Sequence, residues 1–346
     1  MKIADNLELL RANKDAIRNA ITRKGVVTGS ALSTYAANIM QIGRGVFPDI
    51  PDLSPITIQD DVMYFTVAPH TYWGMSIGLD TGTYQVENGT SVDGVYVSNS
   101  IDSSSTYINN TNYYCVNNTD AYIVYRLTCT SHINMLRVKS DTTKGTLGII
   151  EVYGAMPYVA SMSFNSCTTL RICTIKSRLQ LITNMSYCFS WCSSLTTLDS
   201  SSWVLSAVTD MRSCFQNCSS LTTLDSSSWV LSAVTNMANC FQNCYSLTII
   251  SNLNFQNITD MSSFYCPKLV NFRFLNYGAR GDYKTAIQLG SQVYKADIIQ
   301  FFSDMFDRAT AGYSVLTVTI NQPSSKFTAS EISVATNKGY TITFNG

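Results

Sequence analysis

The chain has 346 residues, of which 13% are charged, and its 23 Lys and Arg balance 23 Asp and Glu. Such a length points to two or three domains rather than one ordinary core. A net charge of zero shows no electrostatic funnel for nucleic acid or anionic lipid, which disfavours a phosphate-tracking role.

No apolar run is long enough to insert in a membrane, and the opening "MKIADNLELL" lacks the pattern of a secretory signal. Folding in a cytoplasm that keeps thiols reduced is therefore expected. Residues 1–46 read as a helical hairpin. Over 5–24, Leu10, Ile17 and Ile21 fall on one face, and Gly25 stops the helix. Ser30 caps a second helix, whose Leu32, Tyr35, Ala36, Ile39 and Ile42 recur at i, i+3, i+4, i+7 and i+10. These stripes are too small to support a free-standing domain. Leu10, Ile17, Ile21, Leu32, Tyr35 and Ile39 are accordingly attachment or oligomer contacts, or else pack on the chain's own next domain. The string from Lys14 through Lys24-Gly25 to "LSTYAANIMQI" resembles the N-terminal segment of many bacteriophage tail and fibre proteins. That resemblance implies anchoring to other virion proteins and a homo-oligomer.

Residues 47–155 open on the stiff linker "FPDIPDLSP" and continue as β-rich runs broken by Ser, Asn, Gly and Asp turns. They predict a small sandwich or spacer. "YINNTNYYCV" is a candidate binding loop, although turns of this composition are equally normal in a neutral β domain.

Residues 156–280 carry an internal repeat with a 26-residue core period and about five coils. Cys188, Cys214, Cys240 and Cys266 keep that step; so do Cys192, Cys218 and Cys244, then Leu195, Leu221 and Leu247, then Trp203, Trp229 and Phe255. Shorter copies lie at "MSFNSCTTL" and "MSSFYCPKL". Within a coil, Met211, Cys214, Phe215, Cys218 and Leu221 predict one face of a short helix, and "LTTLDS" predicts a short strand. One coil buries too little to fold alone, whereas stacked coils share contacts. The cysteine pairs are C-x₃-C with no histidine beside them, outside usual zinc spacing. They read first as an interior column of small apolar side chains, with disulfides and a metal as competing readings. Trp203, Trp229 and Phe255 are core wedges or an exposed stacking ladder. "VTDMRSCFQNCSSLTTLDSSSW" resembles the leucine-rich repeats of BspA-like surface proteins, over roughly residues 160–275. It departs from them in placing Ser200 and Ser226 where a third leucine is usual. Leucine-rich geometry implies that Thr197, Asp199, Thr223, Asp225, Ile249 and Ser251 face outward as a host-binding strand face.

Residues 281–346 read as an α/β cap. "KADIIQFFSDMFDRA" and "TASEISVATNKGY" are helical, "YSVLTVTI" and "YTITFNG" are strands, and the last segments resemble the C-terminal cap of such repeats. The fold class expected is thus multidomain α+β: helical hairpin, β-rich domain, leucine-rich-repeat solenoid, α/β cap.

No phosphate loop, nucleophile elbow, zinc-protease helix or dinucleotide fingerprint is present. The two histidines, His70 and His132, have no nucleophile and carboxylate nearby in sequence. The expectation is a non-enzyme with no cofactor and no metal. It is a phage structural protein, assembled in the bacterial cytoplasm into a virion. It anchors by its N-terminus and presents its repeats to a host glycan or protein, without nucleic-acid binding or membrane insertion. A bacterial surface adhesin is the alternative.

Overall fold

The computed structural model describes Leu53 and residues 56–345, with breaks at 70, 80–82, 93–94, 102–106, 109–111, 118–121, 140–147, 177–178, 265 and 281–286. The predicted hairpin bearing Leu10, Ile17, Ile21, Leu32, Tyr35 and Ile39 lies outside the described residues. Among the described residues the multidomain α+β expectation is overturned. Those residues are mostly β with two α-helices, and the repeats form a β-solenoid.

The N-terminal part contains nine strands: β1 (Val62–Val67), β2 (Thr71–Leu79), β3 (Thr83–Val92), β4 (Val95–Ile101), β5 (Tyr107–Ile108), β6 (Asn112–Asn117), β7 (Ile123–Cys129), β8 (Ile133–Lys139) and β9 (Ile149–Ala155). The coils then supply β10 (Ser161–Ser163), β11 (Ile172–Lys176), β12 (Thr197–Asp199), β13 (Thr223–Leu224), β14 (Ile249–Asn254) and β15 (Asn271–Leu275). One eight-stranded sheet runs β12-β11-β9-β1-β7-β3-β4, with β5 on β3, and a second runs β10-β8-β2-β6. Both sheets therefore cross the boundary expected at residue 155, because β9 pairs in parallel with β11 and β8 with β10. A single apolar cluster extends from Met63 through the coils to Tyr340.

The coil leg predicted as a helix is a run of tight turns. Cys188, Cys192 and Leu195 donate their backbone N–H to Met185, Phe189 and Cys192, each three residues back. Tyr187 (φ 59°) and Trp191 (φ 63°) take the left-handed conformation at the third position of their turns, as type II turns require. Ser213, Asn217, Asn239 and Asn243 repeat this in the next two coils. A left-handed residue every fourth position cannot continue an α-helix. Every second N–H is instead free for the next coil: those of Met185, Tyr187, Phe189 and Trp191 reach the carbonyls of Asp210, Arg212, Cys214 and Gln216. The leg thus hydrogen-bonds both locally and along the stack.

Two Asx turns frame each coil. Asn184, Asp210, Asn236 and Asp260 accept the backbone N–H two residues on, which explains the Asn or Asp of "VT[ND]M". Asp199, Asp225 and Asn254 do the same at the end of the strand leg.

The 26-residue step breaks in the third coil, which is two residues shorter. Thr209 bonds to Thr183 and Thr235 to Thr209, but it is Thr259, not residue 261, that bonds to Thr235. Phe255 consequently packs on Phe274 and Tyr277 rather than continuing the Trp203–Trp229 stack.

The C-terminal part adds β16 (Ile287–Leu289), α1 (Lys295–Asp304), β17 (Leu316–Ile320), α2 (Ala329–Thr336) and β18 (Tyr340–Phe344). The three strands form a parallel sheet β16-β17-β18. A capping box starts α2, with Thr328 and Glu331 satisfying each other's backbone N–H. Phe301 of α1 packs edge-on against Phe272 and Phe274 of β15, closing the apolar end of the stack. Asp297 sits in the first turn of α1, where the helix dipole favours a negative charge. Burial nevertheless outweighs the dipole and pushes its carboxyl up to about 6. Between the unfolded value of about 3.9 and this folded value the native state holds the extra proton, so stability falls as pH rises through the window. Asp297→Asn is expected to raise Tm at neutral pH and to leave it unchanged below about pH 4. The gain is limited to about 1–3 °C because the carboxylate is partly exposed. Calorimetry at the two pH values checks this.

Candidate functional site: the outer faces of the solenoid

The predicted strand face is largely committed to holding coils together. Thr197 and Ser251 are buried, and Asp199, Thr223, Asp225 and Ile249 are half-buried. Thr197 lies opposite Ile172, Thr223 opposite Ile249, and Ile249 opposite Asn271. β12 ends one sheet and β13 begins another, so the six residues occupy two strand stacks. Asp199 pairs with Lys176 and accepts from the Ser201 hydroxyl. Burial opposes ionisation of its carboxyl, but the bonds from Lys176 and Ser201 prevail and hold it below the usual carboxylate range. Asp225 accepts from Ser251 Oγ (2.9 Å), and Ser251 Oγ accepts from the Ser226 N–H (2.9 Å). Of the two serines standing where leucine was expected, buried Ser200 donates its hydroxyl to the Asp225 carbonyl at 2.6 Å, whereas buried Ser226 takes part through its backbone N–H.

The cysteines build the interior. Cys188, Cys192, Cys214, Cys218, Cys240 and Cys244 are buried free thiols, and Leu195, Leu221 and Leu247 are fully buried beside them. Cys192, Cys218, Cys244 and Cys266 each direct a thiol at the carbonyl of a phenylalanine in the preceding coil, namely Phe164, Phe189, Phe215 and Phe241. Cys266 therefore belongs to the second column, despite lying 26 residues from Cys240. A thiol fits such a rung because it is small, apolar and still a weak donor. Burial raises the thiol pKa of Cys188, Cys214, Cys218 and Cys240 far above the ordinary range. Iodoacetamide at about pH 8 is expected to leave the nine cysteines buried among the described residues unmodified in the native chain and to modify them once it is denatured. Peptide mass mapping reads this directly.

One pairing of chemical groups escapes sequence inspection. His132 Nδ1 lies 2.8 Å from Asp61 Oδ2, across 71 residues of sequence, and the second Asp61 oxygen accepts the Ile133 N–H at 2.8 Å. The Tyr158 ring covers the imidazole at 3.7 Å. Cys129 is the nearby nucleophile type, but burial and then the Asp61 charge push its thiol up to about 12, so it is not a thiolate at neutral pH. His70 lies outside the described residues. Among the described residues, no three His, Cys, Asp or Glu side chains cluster as a metal site.

Residues 160–272 match the model of a family described as "Mycoplasma protein of unknown function, DUF285". The matched span starts beside β10 and ends in β15, and so coincides with the coil stack. No curated protein and no solved structure matches the chain.

Sequence reading passed over the turn face. Tyr187 and Trp191 are exposed there, as is Tyr245 two coils on, although the phenylalanines and the other tryptophans of the coils point inward. The available signal was a comparison of columns: where Trp191 stands, the next two coils carry Asn217 and Asn243.

Proposed function

We propose that the chain is a non-enzymatic appendage protein of a bacteriophage virion, anchored through its N-terminal segment and presenting the β-solenoid to the host surface. The observation that carries this reading is the side-chain-filled interior of the coils. Met, Cys, Phe and Leu of every coil are turned inward and dry, and α1 closes the last coil, so that partners have only the outer faces to meet. The resemblance of residues 14–42 to tail and fibre proteins supplies the anchoring role. A rigid stack with polar outer turns suits display, since binding orders little that is not already ordered.

A second reading, a bacterial surface adhesin, is favoured by the match of the coils to a family described from Mycoplasma. Immunogold labelling of a lysing culture separates the two. Label on assembled particles supports the virion appendage, and label confined to the envelope of uninfected cells overturns it in favour of the adhesin.

A further inference from the structure

We infer that the turn face around Trp191 is a binding site for a neutral saccharide chain. Trp191 is 55% exposed and Tyr187 42% exposed, and they lie four residues apart in one coil. Both hold left-handed backbone angles, which are costly for large side chains and which the neighbouring coils assign to Ser213, Asn217, Asn239 and Asn243. Strain kept at an exposed aromatic, where asparagine meets the same backbone need, marks a position retained for contact rather than for folding.

The surroundings fix the ligand class. Asn243 Nδ2 donates to Asn217 Oδ1 at 2.8 Å, and Gln216 Nε2 donates to Gln242 Oε1. Among the described residues this leaves the Asn217 amide nitrogen and the Gln216 amide oxygen without partners, in the coil next to Trp191. A flat ring, one free donor and one free acceptor match the apolar face and hydroxyl groups of a sugar. The turn legs 185–192, 211–218 and 237–244 contain one charged side chain, Arg212, which disfavours a polyanion. Even with the exposed Tyr245, whose hydroxyl donates to Asn243 Oδ1, the exposed rings of the coils cover far less than the roughly 800 Å² per partner that a stable protein interface needs. Backbone bonds from Tyr187 and Trp191 to the next coil hold the platform rigid, so little ordering opposes binding. The site deepens the host-contact reading and rests on it for the envelope origin of the glycan, though not for the binding itself.

The test uses the full chain on immobilised neutral oligosaccharides of glucose, galactose, rhamnose and N-acetylglucosamine, with a sulfated glycan as charged control. Retention on at least one neutral series is expected. Trp191→Asn should lose at least about tenfold in affinity and Tyr187→Ser less, while Tyr294→Ala, an exposed aromatic of the C-terminal part, should bind as the parent does. Trp191→Asn installs the residue of the adjacent coils, so its Tm should be unchanged or higher, and lost binding then cannot be blamed on unfolding. Retention on no neutral series, retention only on the sulfated control, or equal binding by Trp191→Asn would each overturn the inference. Sugar binding by a chain that does not label particles would leave the inference standing and remove the virion reading.

Discussion

Phe215→Ala is expected to be the most damaging single truncation in the solenoid, at about 4–5 kcal/mol. Phe215 is fully buried in the middle coil and stacks almost parallel on Phe189 at 5.7 Å and on Phe241 at 5.8 Å. Trp229 lies against the same ring at 6.1 Å. Removing a buried phenylalanine ring costs about 3–5 kcal/mol in all, and three aromatic partners place Phe215 at the upper end of that range. Whole domains are stable by only about 5–15 kcal/mol, so the loss consumes a large share. In a stacked array both interfaces of the mutated coil weaken together. Urea unfolding should therefore show an earlier midpoint and a broadened transition, as the two halves of the stack lose their coupling. Phe215→Leu keeps most of the volume and should cost about 1–2 kcal/mol. Equal midpoints for the alanine variant and the parent would mean that the column does not hold the coils together.

The column was legible as a repeat but not as a conformation. Met211, Cys214, Phe215, Cys218 and Leu221 follow helical spacing, yet a chain of type II turns places buried side chains at the same intervals. The sign of φ decides between them, and the clue was the recurrent asparagine. Asn217, Asn239 and Asn243 sit where a left-handed residue is needed, and asparagine tolerates that region better than most residues. The spacing also misled at the end of the array. Met237 to Met261 is 24 residues, so the coincidence of 26 at Phe255 and Cys266 joined residues that the fold keeps in different columns.

The binding face shows the opposite difficulty. Thr197, Asp199, Thr223, Asp225, Ile249 and Ser251 were selected by alternation along a strand, which identifies a face but not what that face already bonds. Lys176 and Ser201 for Asp199, and Ser251 for Asp225, come from neighbouring turns or coils and become visible only with the coil register. The Asp61–His132 contact spans 71 residues, and no periodicity predicts it. Trp191 could be singled out only by aligning coils and asking why one of them departs from asparagine, which is a question about exposure that sequence alone does not answer.

Arg308→Ala is expected to release the cap, at a cost of about 4 kcal/mol. Arg308 is fully buried, and it works as a fork of donors aimed at backbone carbonyls. Nε donates to the Ser314 carbonyl at 2.9 Å, and Nη1 donates to Gly278 at 2.6 Å and Arg280 at 2.8 Å. Its backbone N–H reaches Lys338, just beyond α2, and its guanidinium stacks 5.5 Å from the Tyr313 ring. One side chain thereby ties the segment that leaves the last coil to the loop between α1 and β17. Gly278 holds a left-handed φ of 78°, and an added Cβ there would meet the Tyr340 hydroxyl at 2.4 Å, so this segment has no room to rearrange. Truncation leaves three carbonyls short of a donor, at about 1–3 kcal/mol for each that stays dry. Arg308→Lys keeps the charge but cannot span the fork, and should recover no more than about half of the loss. Hydrogen exchange distinguishes local release from global weakening. Amides of β16, β17 and β18 should exchange first in Arg308→Ala while those of Cys214 and Phe215 stay protected, and the uncovered Phe272 and Phe274 should make the variant self-associate. Uniform loss of protection across cap and coils would show instead that the cap and the solenoid unfold as one unit.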